Sequence, residues 1–324
     1  MSILRCAVLD DYQHAASAAA NWPAIADRVA VRMLDRNVGD EAQLAALIGD
    51  CEIVVAMRER TSFPASLFAR LPKLKLLVTT GMKNAAIDIA AAQAHGVTVC
   101  GTASRSEPPA ELTWGLILGL ARHVVPEANA FRSNGPWQST VGTDLHGKTL
   151  GVLGLGRIGL RVARVGLAFD MRVLAWSGHL TAERAEAAGV QLAASKEELL
   201  AQSDVVTIHL VLSRRTRGLL GAAELRRMKA TAYLINTSRA AIVDREALLL
   251  ALRERWIAGA GIDVFEEEPP AADDPLRTLP NVLATPHLGY VSYENYRTYY
   301  GEAVEDIRAF LEGRPIRVLS EHRG

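Results

Sequence analysis

Three apolar runs in the second half of the chain each end in a polar group. Arg239 closes Leu234-Ile-Asn-Thr-Ser-Arg239, an acidic run Glu266–Glu268 follows Gly261-Ile-Asp-Val-Phe, and His287 follows Leu283-Ala-Thr-Pro. In open parallel sheets, ligands bind beyond the carboxyl ends of the strands, so groups emerging there are candidates for one site. Together they suit carbonyl reduction. Hydride addition to a ketone leaves negative charge on oxygen, which calls for a proton donor and an electrostatic stabiliser. Histidine titrates near neutrality, a carboxylate partner fixes its tautomer, and arginine binds a carboxylate through two parallel hydrogen bonds. Taken singly, each has an ordinary reading too: Arg239 as a cap or surface ion pair, the glutamates as a solvated turn, His287 as a loop histidine.

A glycine turn lies upstream of all three. Thr149-Leu-Gly-Val-Leu-Gly-Leu-Gly-Arg-Ile-Gly159 contains Gly154-x-Gly156-x-x-Gly159 between an apolar run and an amphipathic stretch. GxGxxG alone is weak, but between a strand and a helix it is the dinucleotide fingerprint. Gly154 permits the tight turn, Gly156 the approach of a pyrophosphate, and Gly159 close helix–strand packing. Arg157 and Ile158 complete the helix start whose free amides hold the anion. The next strand usually ends in an acidic residue that binds the adenosine ribose. Here that position is Ser177, in Val173-Leu-Ala-Trp-Ser177-Gly-His179, with no carboxylate beside it. The barrier to NADP is absent and no arginine adjoins Ser177, so NAD and NADP both stay open. His179, Arg214 and Arg215 reach a 2′-phosphate only if folding brings them close.

The elements that must position these groups alternate between β-branched runs and helical patterns. Strands fit Arg5–Leu9, Val29–Leu34, Glu52–Ala56, Leu74–Val78 and Val97–Val99. After Gly147 they fit Thr149–Leu153, Arg172–Ala175, Val205–Ile208, Tyr233–Ile235, Ile257–Ile262 and Val282–Ala284. Such alternation predicts an α/β fold with two doubly wound parallel sheets. Helical patterns at Ala110–Arg122 and Ser292–Leu311 mark the seams. They suggest that the chain leaves a first domain, builds a second and returns, and at 324 residues about two domains are expected.

Composition narrows the function classes. Apolar residues are 49% and charged residues 22%, as in soluble globular proteins, and 36 basic residues balance 36 acidic ones. No general electrostatic case for nucleic acid or a membrane surface exists. Cys6, Cys51 and Cys100 are too few and too scattered for a disulfide framework or zinc site, and no metal is expected. Each reads as a small buried residue on a strand. The apolar run Leu112–Ala121 is half the length of a membrane span, and the N-terminus lacks a signal-peptide profile. A reducing, cytoplasmic location is expected.

Five segments in order, LHGKTLGVLGLGRIG (145–159), SDVVTIHL (203–210), LRRMKATAYLINTSRAAIVDREALLLAL (225–252), AGAGIDVFEEEPP (258–270) and LPNVLATPHLGY (279–290), resemble the D-isomer-specific 2-hydroxyacid dehydrogenase family. The resemblance implies a Rossmann-type cofactor domain at 106–287. It also implies a flavodoxin-like substrate domain built from 1–105 and 288–324, with a cleft between the two. It implies Arg239 as ligand of the substrate carboxylate and carbonyl, and Glu268 as partner of His287, the proton donor. Asp263 is implied at the nicotinamide carboxamide, and His209, Thr216 and Thr237 along the cofactor. Lys83 and Asn84, in Val78-Thr-Thr-Gly-Met-Lys-Asn84, fall where backbone amides meet the substrate carboxylate, and Arg58 where some relatives recognise a phosphate or acid group. A homodimer paired through about 106–135 is implied as well.

Several positions depart from the family pattern: Lys83 and Ala240 stand where it has glycine, Val211 where proline is common, and Ser177 where aspartate is frequent. None removes a reacting group. The expected activity is hydride transfer between NAD(P)H and a small 2-oxo acid of the hydroxypyruvate, glyoxylate or 3-phosphoglycerate type. A second reading keeps the fold and makes it a dinucleotide-sensing scaffold, as in corepressor relatives. The intact Arg239, Glu268 and His287 set does not exclude such a sensor, but the compact length favours the enzyme.

Overall fold

The computed structural model describes residues 3–320. They divide into two compact units, one built from the residues up to Arg105 together with those from Val291 onward, the other Ser106–Tyr290. In the first unit the strands are β1 (Leu4–Val8), β2 (Val29–Met33), β3 (Ile53–Ala56), β4 (Leu76–Thr79) and β5 (Thr98–Gly101). All pair in parallel, in the order β2-β1-β3-β4-β5. That is the flavodoxin-like order, with its switch point between β1 and β3. β3 and β4 read Ile-Val-Val-Ala and Leu-Leu-Val-Thr and are buried at every position, the pattern of parallel strands covered on both faces. Ile48, Phe63, Phe68 and Leu77 lie in one core cluster of this unit. Asp40 and Asp88 accept hydrogen bonds from Gln43 N and Ala91 N and thereby start the helices Glu41–Ile48 and Ile89–Ala94. The closing helix Tyr293–Leu311 buries Tyr299, Tyr300 and Ile307; Ser292 stands just outside it as the N-cap.

The second unit carries β6 (Thr149–Leu153), β7 (Arg172–Trp176), β8 (Gln191–Leu192), β9 (Val205–Ile208), β10 (Tyr233–Asn236), β11 (Gly259–Ile262) and β12 (Val282–Ala284). Their order is β12-β11-β10-β9-β6-β7-β8, again all parallel. Counted within the unit this is 3-2-1-4-5-6-7, the dinucleotide-binding order with one added strand. Two core clusters fill it, one including Leu199, Leu234 and Leu252, the other Trp114, Val162 and Ile235.

Differences from the sequence reading are local. The helix expected from Ala110 begins at Glu107, because Pro108 and Pro109 fall in its first turn, where their missing amides cost nothing. β8 escapes a pattern search, being two exposed residues at a sheet edge. A further helix, Val124–Arg132, follows His123, whose backbone is left-handed at φ 50°. The second unit also runs to Tyr290 rather than ending at 287, since Leu288 N and Gly289 N donate to Asp263. All three cysteines are free and buried. Cys6 and Cys100 lie on β1 and β5, whereas Cys51 precedes β3. Among the described residues, no helix is long and apolar enough to cross a membrane, and no cluster of histidine, cysteine or carboxylate groups suits a metal.

Candidate active site

Parallel register places the ends of β10, β11 and β12 side by side, with Asn236 opposite Ile262 and Ile262 opposite Ala284. Arg239 lies three residues beyond β10, Asp263 directly beyond β11 and His287 three beyond β12. The three polar groups therefore leave one sheet edge. His287 Nδ1 and Glu268 Oε2 are 2.6 Å apart, and the second oxygen of Glu268 accepts from Phe265 N at 2.9 Å. Both side chains are partly exposed. With Nδ1 held by the carboxylate, Nε2 is the ring atom left for a substrate. Tyr290 meets the imidazole at 75° with centroids 5.2 Å apart, which restrains its tilt.

His287 itself sits at φ 53°, a backbone region that costs a residue with a Cβ. Asp263 holds it there. This carboxylate is fully buried and accepts from Thr285 Oγ1 at 2.6 Å, Leu288 N at 2.7 Å and Gly289 N at 2.9 Å. Burial pushes its pKa up, against the pull of these donors. Its donors all belong to the loop carrying His287. Asp263 thus holds the loop that carries the histidine.

Arg239 is half-buried in extended backbone, and its Nη1 donates to Ser238 O at 2.8 Å. Asn236, which the sequence reading passed over, shapes its turn. Asn236 Nδ2 donates to Arg239 O at 3.0 Å and its Oδ1 accepts from Ser238 N at 3.1 Å. A buried asparagine at the end of a parallel strand was the available signal. Ala240 opens a 3-10 turn, Ala240–Ile242, without left-handed backbone, so the missing glycine leaves this turn intact.

At the centre of the same sheet, β6 runs into the glycine turn. Gly154 has φ 101°, and a Cβ there would lie 2.6 Å from His209 O. A Cβ on Gly159 would lie 2.0 Å from Gly154 O. Gly156 differs: a Cβ would meet nothing within 4 Å, and no side chain caps the helix Arg157–Ala168 that it begins. Arg157 and Ile158 form the first turn of that helix. Two glycines are thus demanded by the protein's own packing, while the third faces open space at a free helix N-terminus, the cradle a dinucleotide phosphate requires. The residues present fit the group. Ser177 follows β7 and is half-buried. His209 Nε2 lies 2.9 Å from Thr207 Oγ1, and burial drives its pKa down to about 3. Thr237 Oγ1 shares a hydrogen bond with Thr113 Oγ1 at 2.9 Å. The Thr216 hydroxyl accepts from Ser213 N and donates to Val211 O, so it builds its own loop.

In the first unit, β3 and β4 bring Arg58 and the 79–84 loop together. Asn84 Nδ2 donates to Arg58 O at 2.6 Å and Thr79 Oγ1 at 2.8 Å, and its Oδ1 accepts from Ala86 N. The side chain is spent on the loop. Gly81 has φ 94°, and a Cβ would fall 2.8 Å from Arg58 Nη1. Arg58 also reaches Tyr299 OH at 3.4 Å, while Lys83 is exposed.

Known proteins match this pattern. The model of the D-isomer specific 2-hydroxyacid dehydrogenase NAD binding domain matches residues 114–289. A glyoxylate reductase of Aeropyrum pernix is 42% identical over 258 residues, 76% of each chain. A glycerate dehydrogenase of Methylorubrum extorquens is 35% identical, covering 82% of this chain and 85% of that one. Among solved structures, a phosphoglycerate oxidoreductase from Vibrio cholerae O395 superposes with a TM-score of 0.91 at 37% identity, covering 96% of this chain and 100% of that one. With parallel sheets, glycine turn and paired histidine already in place, these matches show that the chain belongs to the D-isomer-specific 2-hydroxyacid dehydrogenase family, NAD(P)-linked oxidoreductases of 2-hydroxy and 2-oxo acids.

Proposed function

We propose that this protein reduces a small 2-oxo acid to the D-2-hydroxy acid, with His287 as proton donor, Glu268 as its partner and Arg239 as ligand of the substrate carboxylate and carbonyl. The observation that carries this assignment is the 2.6 Å pair between Glu268 and His287 at the carboxyl edge of the sheet. A bound reduced nicotinamide supplies the hydride. The chain's own residues do the rest. Arg239 presents a planar fork to the substrate carboxylate and stabilises charge on the carbonyl oxygen. His287 delivers a proton from Nε2 to that oxygen, while Glu268 keeps Nδ1 protonated and stabilises the imidazolium before transfer. Backbone amides at Lys83 and Asn84, with Arg58 beside them, are the first unit's candidates for holding an acid group. The glycine turn, Arg157, Ile158, His209 and Thr237 line the cofactor.

Glyoxylate, hydroxypyruvate and 3-phosphoglycerate-type acids are the substrate classes to which the relatives' names point. A cytoplasmic homodimer, paired through 106–135, is part of the same proposal; its support is the exposed Phe131 and Val124 on that segment. The deciding experiment is a steady-state screen of 2-oxo acids with NADH and NADPH, repeated with His287→Gln. Turnover of at least one such acid, lost in the variant while dinucleotide binding persists, is expected. No turnover of any 2-oxo acid by protein that binds dinucleotide would favour the sensing scaffold.

A further inference from the structure

The glycine turn of β6 sits between two loops, because β9 and β7 flank β6 in the sheet. One loop leaves β7 as Ser177-Gly178-His179, the side of the sheet that holds an adenosine ribose in this fold. The other leaves β9 as His209-Leu-Val-Leu-Ser213-Arg-Arg-Thr-Arg217 and contains three arginines and no carboxylate. Their meeting point is defined: Arg215 Nη1 lies 3.1 Å from His179 Nε2. The sequence left that contact undecided, since the two residues are 36 positions apart.

Three further observations give the contact a direction. Ser177 replaces the carboxylate that would repel a phosphate on the ribose, and the nearest acid in sequence after it is Glu183. That group is exposed, and a hydrogen bond from Thr181 holds its carboxyl below the usual range. A Cβ on Gly178 would meet nothing within 4 Å, so space is open between Ser177 and His179. Arg215 also stands inside a closed turn, where Thr216 Oγ1 accepts from Ser213 N at 2.8 Å and donates to Val211 O at 2.7 Å. This turn fixes the backbone from which the guanidinium reaches across. The partner that Arg215 meets here is an imidazole nitrogen and not a carboxylate.

We propose that Ser177, His179 and Arg215 form a subsite for the 2′-phosphate of an adenine dinucleotide, so that the protein prefers the phosphorylated cofactor. The inference rests on the reading that a dinucleotide occupies the Gly154–Gly159 turn. Arg215 supplies two parallel donors to a phosphate, His179 exchanges its contact with Arg215 for one with the same anion, and Ser177 donates a hydroxyl where NAD-binding folds usually place an acid.

The test is equilibrium binding by calorimetry on the full chain, with 2′,5′-ADP, 5′-AMP, NADPH and NADH as probes. Wild type is expected to bind 2′,5′-ADP at least about tenfold more tightly than 5′-AMP, the scale of one charge-assisted contact. Arg215→Ala should remove most of that ratio and leave 5′-AMP affinity unchanged, while Ser177→Asp should turn the preference toward NADH. His179→Ala should reduce the ratio by a smaller factor. Equal or tighter binding of NADH by wild type overturns the subsite while leaving the glycine-turn reading intact. Equal loss of both nucleotides in Arg215→Ala also overturns it, by assigning the arginine to loop structure. Failure of all four probes to bind overturns both.

Discussion

At the end of β12, His287 is held by side chains: Glu268 at its ring, Tyr290 against its edge and Asp263 beneath its loop. At the end of β4, in the other unit, Asn84 holds the loop through Arg58 O and Thr79 Oγ1, and what remains for a ligand is largely main chain. Both loops leave the carboxyl edge of a parallel sheet, yet the work proposed for them differs. A proton donor must have one atom aimed and one tautomer fixed, which takes several side chains of defined type. A carboxylate hold made of backbone amides needs only a loop of the right shape. Residue identity is therefore diagnostic in the second unit and nearly silent in the first.

The largest effect expected from breaking this contrast is at His287. His287→Gln should lower kcat for carbonyl reduction by roughly 10²–10⁴-fold with dinucleotide affinity unchanged, the range for loss of a general acid. A calorimetric titration beside the rate assay checks it, and unchanged turnover would remove the histidine from the reaction. Arg239→Lys comes next. An ammonium cannot reproduce the planar fork, so kcat/KM should fall by about 10–100-fold, the worth of one charge-assisted bidentate contact. Near-normal steady-state constants would move carboxylate recognition elsewhere.

Asp263→Ala tests support rather than chemistry. It strands three donors in a buried site, so the unfolding free energy should drop by about 2–4 kcal/mol, measured by urea denaturation. Activity should fall further than stability explains, since the left-handed backbone at His287 loses its anchor. A variant of normal stability and activity would show that the loop holds itself. In the first unit, Asn84→Ala should raise substrate KM by about tenfold and leave dinucleotide binding alone, consistent with the loss of a few hydrogen bonds that shape a loop. A changed kcat with constant KM would break the distinction drawn between the two loops.

The smallest effect concerns stability alone. Asp306 is buried beside Arg317, Glu302 and Glu305, with one oxygen accepting from Arg317 Nε at 2.9 Å and the other without a hydrogen-bond partner. Burial is the main cause that raises its pKa from 3.8 to about 7. Folded protein therefore keeps this proton where unfolded chain has released it. The stabilisation is complete below about pH 4 and is lost as pH rises through about 7. Urea midpoints should fall between pH 5 and pH 8, and Asp306→Asn should flatten that slope; an unchanged slope would assign it to other groups.

Much of the second unit was legible in the chain. β6, β9 and β12 lie where their apolar runs predict, and the glycine spacing marks the turn because Gly154 and Gly159 answer to steric demands that no other residue meets. Arg239, Glu268 and His287 follow strands, and a parallel sheet delivers strand ends to one edge. Asp263 and Asn236 show the limit. Their types allow many roles, and only the folded loop reveals that one buries its carboxylate under His287 and the other folds the turn before Arg239. Thr216 makes the same point, since its hydroxyl serves its own loop.

The sequence by itself determined the alternation of strand and helix, the glycine turn and the groups proposed to react, because these follow from local sterics, periodicity and side-chain chemistry. Tertiary structure alone decided which donors a buried carboxylate would gather, which backbone would be forced to positive φ, and which distant side chains would meet. Arg215 and His179 belong to that last kind. Their approach depends on β7 and β9 lying on either side of β6, an order set by how the whole sheet buries its apolar faces rather than by either loop.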